Sequence, residues 1–335
     1  MGPPEDAYAH AGVSQSDADR AVEGLVRSLK LIDTGKPSRV VPLPGHYASV
    51  LRLEGALGVA IGTDGVGTKM IVAERLDRFD TIGIDCVAMN VNDLICVGAE
   101  PIAMVDFILC KRADPEVTEQ IGQGLRRGAE MAGIEIPGGE IAQVGDVVNG
   151  WELGGSAIGI VDIDAIVDGG RIEPGDAVIG LPSSGPHSNG YTLARRALDG
   201  ISLDDERLGR PLGDLLLEPT EIYVRAVLDL LGSRVDVRGL AHITGDGLNN
   251  LLRLAAPVGY EIDDPLPVPP IFDLIAELGE VPEEEMYEVF NMGCGFVCVA
   301  AARDADEALE RLRAHYRDAK RIGVVTGKAG EVVRR

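Results

Sequence analysis

Positive charge is what this sequence has least of: 31 Lys and Arg stand against 54 Asp and Glu, a formal charge of −23, and only six of the basic residues are Lys. Such a field repels polyanions, which excludes sequence-general binding to nucleic acid or to an anionic membrane. Any phosphate the protein binds is therefore held locally. Scarce Lys over a heavily hydrated acidic surface fits a saline, halophilic cytoplasm, with a generic acidic cytosolic protein as the plain alternative. Cysteine is also too sparse and too irregular for a disulfide framework. Cys86, Cys96, Cys110, Cys294 and Cys298 are odd in number and sit in apolar runs such as CGFVC. No second Cys or His pair accompanies Cys294 and Cys298, so a zinc site is excluded and buried thiols in a reducing cytoplasm are expected. The opening MGPPEDAYAH has neither a basic stretch nor an apolar one, and no apolar run approaches the ~20 residues of a membrane span. The expectation is a soluble cytoplasmic protein.

What is present is enough apolar material for a sizeable core: 45% of 335 residues, a length suited to about two domains. Glycine is abundant, at 43 residues, and gathers where apolar runs give way to loops: GTDGVGTK (62–69), PGGE (137–140), GGSAIG (154–159), SSGPHSNG (183–190), TGDG (244–247) and NMGCG (291–295). Glycines so placed mark tight turns or close backbone approach to a ligand. β-like runs (ALGVAIGT, DAVIGLP, GLAHIT) alternate with helical periodicity in SDADRAVEGLVRSLK, DCVAMNVNDLICV, PEVTEQIGQGLRRGAEMAG and ADEALERLRAHYRD, an α/β pattern. The turn-rich DGGRIEPGDAVI near the midpoint divides the chain at about residue 170, into 1–170 and 171–335. DDPLPVPP (263–270) reads as a rigid surface excursion.

GTDGVGTK is not a Walker A loop, which would need Lys at position 68, where this chain has Thr68 followed by Lys69. It offers Asp64 at a strand end, Gly65 and Gly67 to let backbone N–H groups converge, and Lys69 as a mobile cation, a set suited to an anion with a bridging Mg²⁺. A β-turn with an exposed Asp and Lys is the alternative. In IGIDCVAMNVNDLICV the apolar positions follow helical spacing, while Asn90 and Asp93 share another face and either cap a neighbouring loop or ligate a cation. A third acid, Glu140, follows two glycines in PGGE, where a turn would aim it inward. DAVIGLPSSGPHSNGYTLARRAL reads as strand, polar Gly loop, then helix from about Gly190, the arrangement that binds phosphate through unpaired N–H groups. His187 in that loop is placed to donate to a phosphate or to move a proton. GLAHITGDG repeats the logic with His242, Thr244 and Asp246. Gly-rich anion loops with Asp64, Asp93 and Glu140 make a nucleotide and Mg²⁺ kit, and a non-catalytic nucleotide-binding scaffold is the reading from another class.

In order along the chain, YAHAGV, TDGVGTK, IGIDCVAMNVNDLICVGAEP, PGGE, GDAVIGLPSSGPHSNGY, EPTEIYV, AHITGDGL and FNMGCGF together resemble the phosphoribosylformylglycinamidine cyclo-ligase (aminoimidazole ribonucleotide synthetase) family, of archaeal type. The resemblance implies ATP-dependent closure of formylglycinamidine ribonucleotide to aminoimidazole ribonucleotide in purine biosynthesis, with ADP and phosphate released. It also implies a homodimer of two α/β domains whose N-terminal halves pair into a β-barrel, with Mg²⁺ and K⁺ as companion ions. Carried over by motif, Asp64, Gly65, Gly67, Thr68, Lys69, Asp93 and Glu140 are the implied nucleotide residues, and Asp64, Asp93 and Glu140 hold the metal. Ser184, Gly185, His187, Ser188 and Asn189, with His242 and Thr244, look like the substrate or phosphate residues; Lys69, Asp93 and His187 are the implied catalytic groups, and Asp85 is a further candidate. IAQVGD after PGGE, TGDG and PGHYASV depart from the family pattern. A selenophosphate synthetase would carry Cys or selenocysteine in an N-terminal loop, yet the first Cys here is Cys86; a hydrogenase-maturation relative would end in a reactive Cys, yet this chain ends EVVRR.

Overall fold

The computed structural model describes residues 15–335, so the YAHAGV segment lies outside the described residues. Helix α1 (Gln15–Leu29) leads into a six-stranded sheet built from β1 (Val40–Val41), β2 (Ser49–Arg52), β3 (Leu57–Gly65), β4 (Glu100–Cys110), β5 (Glu135–Gln143) and β6 (Trp151–Asp162). The strand order is β1-β2-β3-β6-β4-β5, antiparallel except for β4 with β5. Helix α2 (Met70–Leu76) follows β3, and two long helices, α3 (Ile82–Cys96) and α4 (Pro115–Ala132), pack together near the sheet. Helix α3 is apolar nearly all round, so it forms the core of this half: only Asp93 escapes full burial. It lies close to α4 because Gly83, Gly124 and Gly128 remove the side chains between them; a Cβ at Gly83 would come within 2.1 Å of the Leu125 nitrogen. Helix α4 starts on Asp114, whose side chain accepts the Glu116 and Val117 N–H groups, and stops on Gly133 in the left-handed region.

Strand alternation gives this sheet two unlike faces. The face toward α3 carries buried Ala60, Met104, Ile108, Leu153 and Ala157; the register places Ile61, Val105, Phe107, Ile158 and Ile160 on the other, where all five are exposed. Within one chain the sheet is open, with β1 and β5 as free edges, so the expected barrel is not closed by this chain alone.

The second sheet begins at β7 (Ala177–Pro182) and continues through β8 (Val237–His242), β9 (Gly259–Ile262), β10 (Cys294–Ala300), β11 (Lys320–Thr326) and β12 (Val332–Arg334), in the order β12-β9-β11-β7-β10-β8. Strands β7 and β10 read AVIGLP and CGFVCVA, continuous apolar runs, and both are buried almost throughout between flanking helices. All five cysteines are free and buried. The proline-rich run 263–270 lies mostly exposed before the helix at Pro270–Gly279 and is anchored by Leu266, which is buried against Gly180. No described helix is long and apolar enough to cross a membrane.

Candidate active site between the two halves

Helix α3 organises the seam where the two halves meet. Asp85 and Asn92, seven residues apart, project on one side toward the second half, while Asn90 serves the end of β3. Asn90 accepts the Asp64 N–H at 3.1 Å and donates to the Asp64 carbonyl at 3.2 Å, so of the two sequence alternatives for this residue it takes the loop-holding one. Asn92 donates to the Glu221 carbonyl at 2.8 Å and accepts the Tyr223 N–H at 3.0 Å. Asp93 meets His242 of β8, Nδ1 to carboxylate at 2.9 Å, with the other ring nitrogen 3.5 Å from Asn92.

Asp64 and Asp93 come together. Burial pushes the Asp64 carboxyl above its usual range and the Asp93 charge adds to the push. The loop that follows differs from the expected anion cradle. The Gly65 N–H is taken by the Asp64 carboxylate at 2.7 Å and the Gly67 N–H faces Glu152 at 3.4 Å, so the loop presents carboxylates where free donors were expected. Such a loop favours a cation over a bare anion. Thr68 reaches across to Thr192 at 3.2 Å.

Lys69 is not a mobile cation. It is wholly buried, and its ammonium donates to Asp85 at 2.9 Å, to the His187 carbonyl at 3.0 Å and to the Glu218 carbonyl at 2.7 Å. Burial pulls its pKa down while Asp85 opposes the shift. His187 likewise departs from the expectation of a group that donates to a phosphate or moves a proton: its ring is fully buried beside Tyr223, and Nε2 accepts the Ser184 N–H at 3.3 Å. Burial holds this ring well below the usual histidine range, hence neutral, and its Nδ1 has no partner. A Cβ at Gly295 would fall 2.5 Å from the ring and 2.0 Å from the Tyr223 hydroxyl, which accounts for glycine in NMGCG.

The loop 183–190 is held from every side. Ser183 donates to Asn291 and Ser184 to the Pro219 carbonyl, while Asn291 donates to the Gly185 carbonyl and Ser188 to Asp85. Besides His187 Nδ1, the Asn189 amide nitrogen is buried without a partner, and the carbonyl end of that side chain lies beside Gly245 of the TGDG turn. The helix after the loop, Tyr191–Ala197, has seven residues, too short for a strong dipole, so anion binding here depends on loop donors. The Thr244 N–H and hydroxyl both donate to Asn250, and His242 is buried against Asp93; neither is offered to a phosphate as expected.

Glu140 is the clearest departure. PGGE is not a turn but part of β5, and register links Asp64 to Gly155, Gly155 to Asp106 and Asp106 to Gly139 across one row of the sheet. The next residue, Glu140, therefore points to the opposite face, beside Phe107, three strands and roughly 14 Å from β3 at ~4.8 Å per strand. Among the described residues no three His, Cys, Asp or Glu side chains stand together as a metal cage, so the three-acid site does not form within one chain. Asp106, on the Asp64 face and with its carboxyl pushed up by burial, was missed by the sequence reading, although a lone acid inside IAMVDFILC is a visible signal. The pair Asp64 and Asp93 still fits Mg²⁺, which takes one or two carboxylates and fills its octahedron with phosphates and water.

Known proteins agree on the family. The model described as AIR synthase related protein, N-terminal domain, matches residues 45–161, and its C-terminal counterpart matches 173–335. The chain is 50% identical to a phosphoribosylformylglycinamidine cyclo-ligase of Thermococcus kodakarensis over 96% of both chains. It is 49% identical to one of Pyrococcus furiosus over 97% of both. Both relatives are archaeal, and neither lends support to the saline reading of the acidic surface. The solved structure "AaThiL complexed with AMPPCP and TMP" shares the fold at 16% identity, with a TM-score of 0.65 over 93% of this chain and 92% of that one.

Proposed function

The chain belongs to the phosphoribosylformylglycinamidine cyclo-ligase family, and from that premise we propose how its own residues carry out the reaction. The protein is an ATP-dependent ligase of purine biosynthesis that closes the imidazole ring. A formamide oxygen is a poor leaving group. Transfer of the γ-phosphoryl group of ATP to that oxygen, with loss of the formamide N–H proton, gives an iminophosphate; the amidine nitrogen that bears the ribose attacks the formyl carbon, the C–O bond breaks, and phosphate leaves with the oxygen as that nitrogen gives up its proton. Such chemistry asks the protein for positioning and for stabilisation of charge on the transferring group.

Asp64 and Asp93 hold Mg²⁺ in this reading, and the ion, when bound, neutralises phosphate charge. Asn90 fixes the backbone at Asp64, and His242 fixes one oxygen of Asp93 while leaving the other for the ligand. Gly65, Gly67 and Thr68 shape the nucleotide side; Ser184, Gly185, Ser188 and Asn189 shape the substrate side. His187 acts from beneath the loop as its neutral support. K⁺ receives no residue. Residues 1–170 form the nucleotide and pairing domain, and 171–335 carry the substrate loop. A homodimer formed through the outer face of the first sheet buries Ile61, Val105, Phe107, Ile158 and Ile160 and turns two open sheets into one barrel. Glu140 lies on that pairing face, so any nucleotide contact it makes belongs to the dimer.

The observation that carries the site is the single helix α3, whose Asn90, Asp93, Asn92 and Asp85 side chains bond in turn to Asp64, to His242, to the Glu221 and Tyr223 backbone and to Ser188 of loop 183–190. Incubation of the pure protein with ATP, Mg²⁺ and formylglycinamidine ribonucleotide gives a diazotisable aminoimidazole in step with ADP. Nucleotide binding with neither ADP nor that product formed would leave only a nucleotide-binding scaffold.

A further inference from the structure

We propose that Lys69 and Asp85 are positioning residues, a buried pin that sets the backbone of loop 183–190 against the first domain, and that the Lys69 charge is not offered to the nucleotide. An ammonium has three hydrogens, and all three of Lys69 are committed, to Asp85, to the His187 carbonyl and to the Glu218 carbonyl. No donor remains for a phosphate. Two of the three acceptors are main-chain oxygens, 118 and 149 residues away along the chain, so Lys69 fixes the course of two segments of the second domain and not merely a rotamer. One of them, His187, has φ 60°, in the left-handed region that a residue with a Cβ occupies only when its surroundings hold it there.

Asp85 completes the pin from the other side. Its Oδ1 accepts from Lys69, from the Ser188 hydroxyl at 3.2 Å, and from both the N–H and the hydroxyl of Thr220, at 2.8 and 2.7 Å. Thus one carboxylate oxygen ties the first domain to residues on both segments that Lys69 grips, and Ser188 and Thr220 are themselves 3.1 Å apart. Lys69 and Asp85 both have fully buried side chains, so solvent does not screen the pair. The sequence gap between them, 16 residues, spans the start of α3 and the turn after β3, the two elements that also place Asp64 and Asp93. Loop position and acid position are therefore set from one frame.

This proposal rests on the reading of 183–190 as the substrate loop, and the test separates the two. Amide hydrogen exchange is followed on the ligand-free full chain for wild type, Lys69→Met, Asp85→Asn and Thr220→Val, alongside steady-state kinetics. The pin predicts at least tenfold faster exchange at residues 184–190 and 218–222 in each variant, with strands 177–182 and 294–300 still protected. It further predicts a KM for the ribonucleotide substrate raised at least tenfold and a KM for ATP changed far less. Thr220→Val keeps the ion pair and removes one hydroxyl, so it reports even where Lys69→Met fails to fold. Wild-type loop exchange in Thr220→Val and Asp85→Asn would overturn the pin, as would a Lys69→Met enzyme with a protected loop and a loss confined to ATP affinity. Faster loop exchange with an unchanged substrate KM would keep the pin and remove the substrate role of the loop.

Discussion

The seam between the two halves and the outer face of the first sheet invert the usual rule of burial. In the seam, Lys69, Asp85, Asn92, His187, Thr220 and His242 are polar and buried; on the outer face, Ile61, Val105, Phe107, Ile158 and Ile160 are apolar and exposed. Polar groups tolerate burial only when bonded, and the seam bonds nearly all of them, which makes its geometry specific. An apolar sheet face left in water instead marks a surface that another protein surface covers. One region is thus bonded within a single chain, and the other exposes the face that the proposed homodimer would cover.

The sharpest break of this contrast is at the acids beside the seam. If Asp64 holds the proposed Mg²⁺, Asp64→Asn should lower turnover about 10²–10³-fold while unfolding stays near wild type, because the ion loses one of its two carboxylates and Asn90 still holds the backbone. Steady-state kinetics with a thermal melt checks both halves of that statement. On the other region, Phe107→Arg, at a half-exposed position, should weaken self-association roughly 30-fold or more, read by sedimentation equilibrium, with the monomer still folded. Unchanged association would mean that the face is covered by something other than a second copy.

Within the seam, Asn92→Ala strands the Tyr223 N–H and the Glu221 carbonyl and should cost about 2–3 kcal/mol in urea unfolding. Ile160→Ala on the outer face should cost the isolated chain far less. An effect of similar size that appears only on acidification concerns His46, where burial pulls the imidazole down to about 4 and both ring nitrogens are buried without partners. The unfolded chain takes up this proton near pH 6.5 and the folded one only near pH 4, so the stability it contributes is full above pH 6.5 and is lost as pH falls toward 4. The loss approaches about 3 kcal/mol at 1.36 kcal/mol per unit. Asp64, with its carboxyl pushed up, acts in the opposite direction. A pH series of urea unfolding should therefore flatten in His46→Asn.

The sequence shows the elements of this fold more readily than their joints. The helical spacing of DCVAMNVNDLICV and the β-like runs ALGVAIGT, DAVIGLP and GLAHIT appear as expected, because each follows from local periodicity. The partners of Asp85 and Asn92 in the second half lie 103 to 150 residues away, and no local pattern encodes them. Lys69 shows the same limit: a Lys after a Gly-rich loop reads as a cation for phosphate until its three acceptors are seen. The placement of Glu140 fails for a different reason. Two glycines suggest a turn, but they serve a strand, with Gly139 making room for the Asp106 carboxylate, and one step of strand parity carries Glu140 to the far face.

The central claim is that the seam activates the formyl oxygen by phosphorylation and so closes the ring. Substrate carrying ¹⁸O at the formyl oxygen tests it directly, with the released phosphate analysed by mass spectrometry. The account predicts one ¹⁸O atom in phosphate for each aminoimidazole formed. Aminoimidazole accompanied by unlabelled phosphate would contradict it.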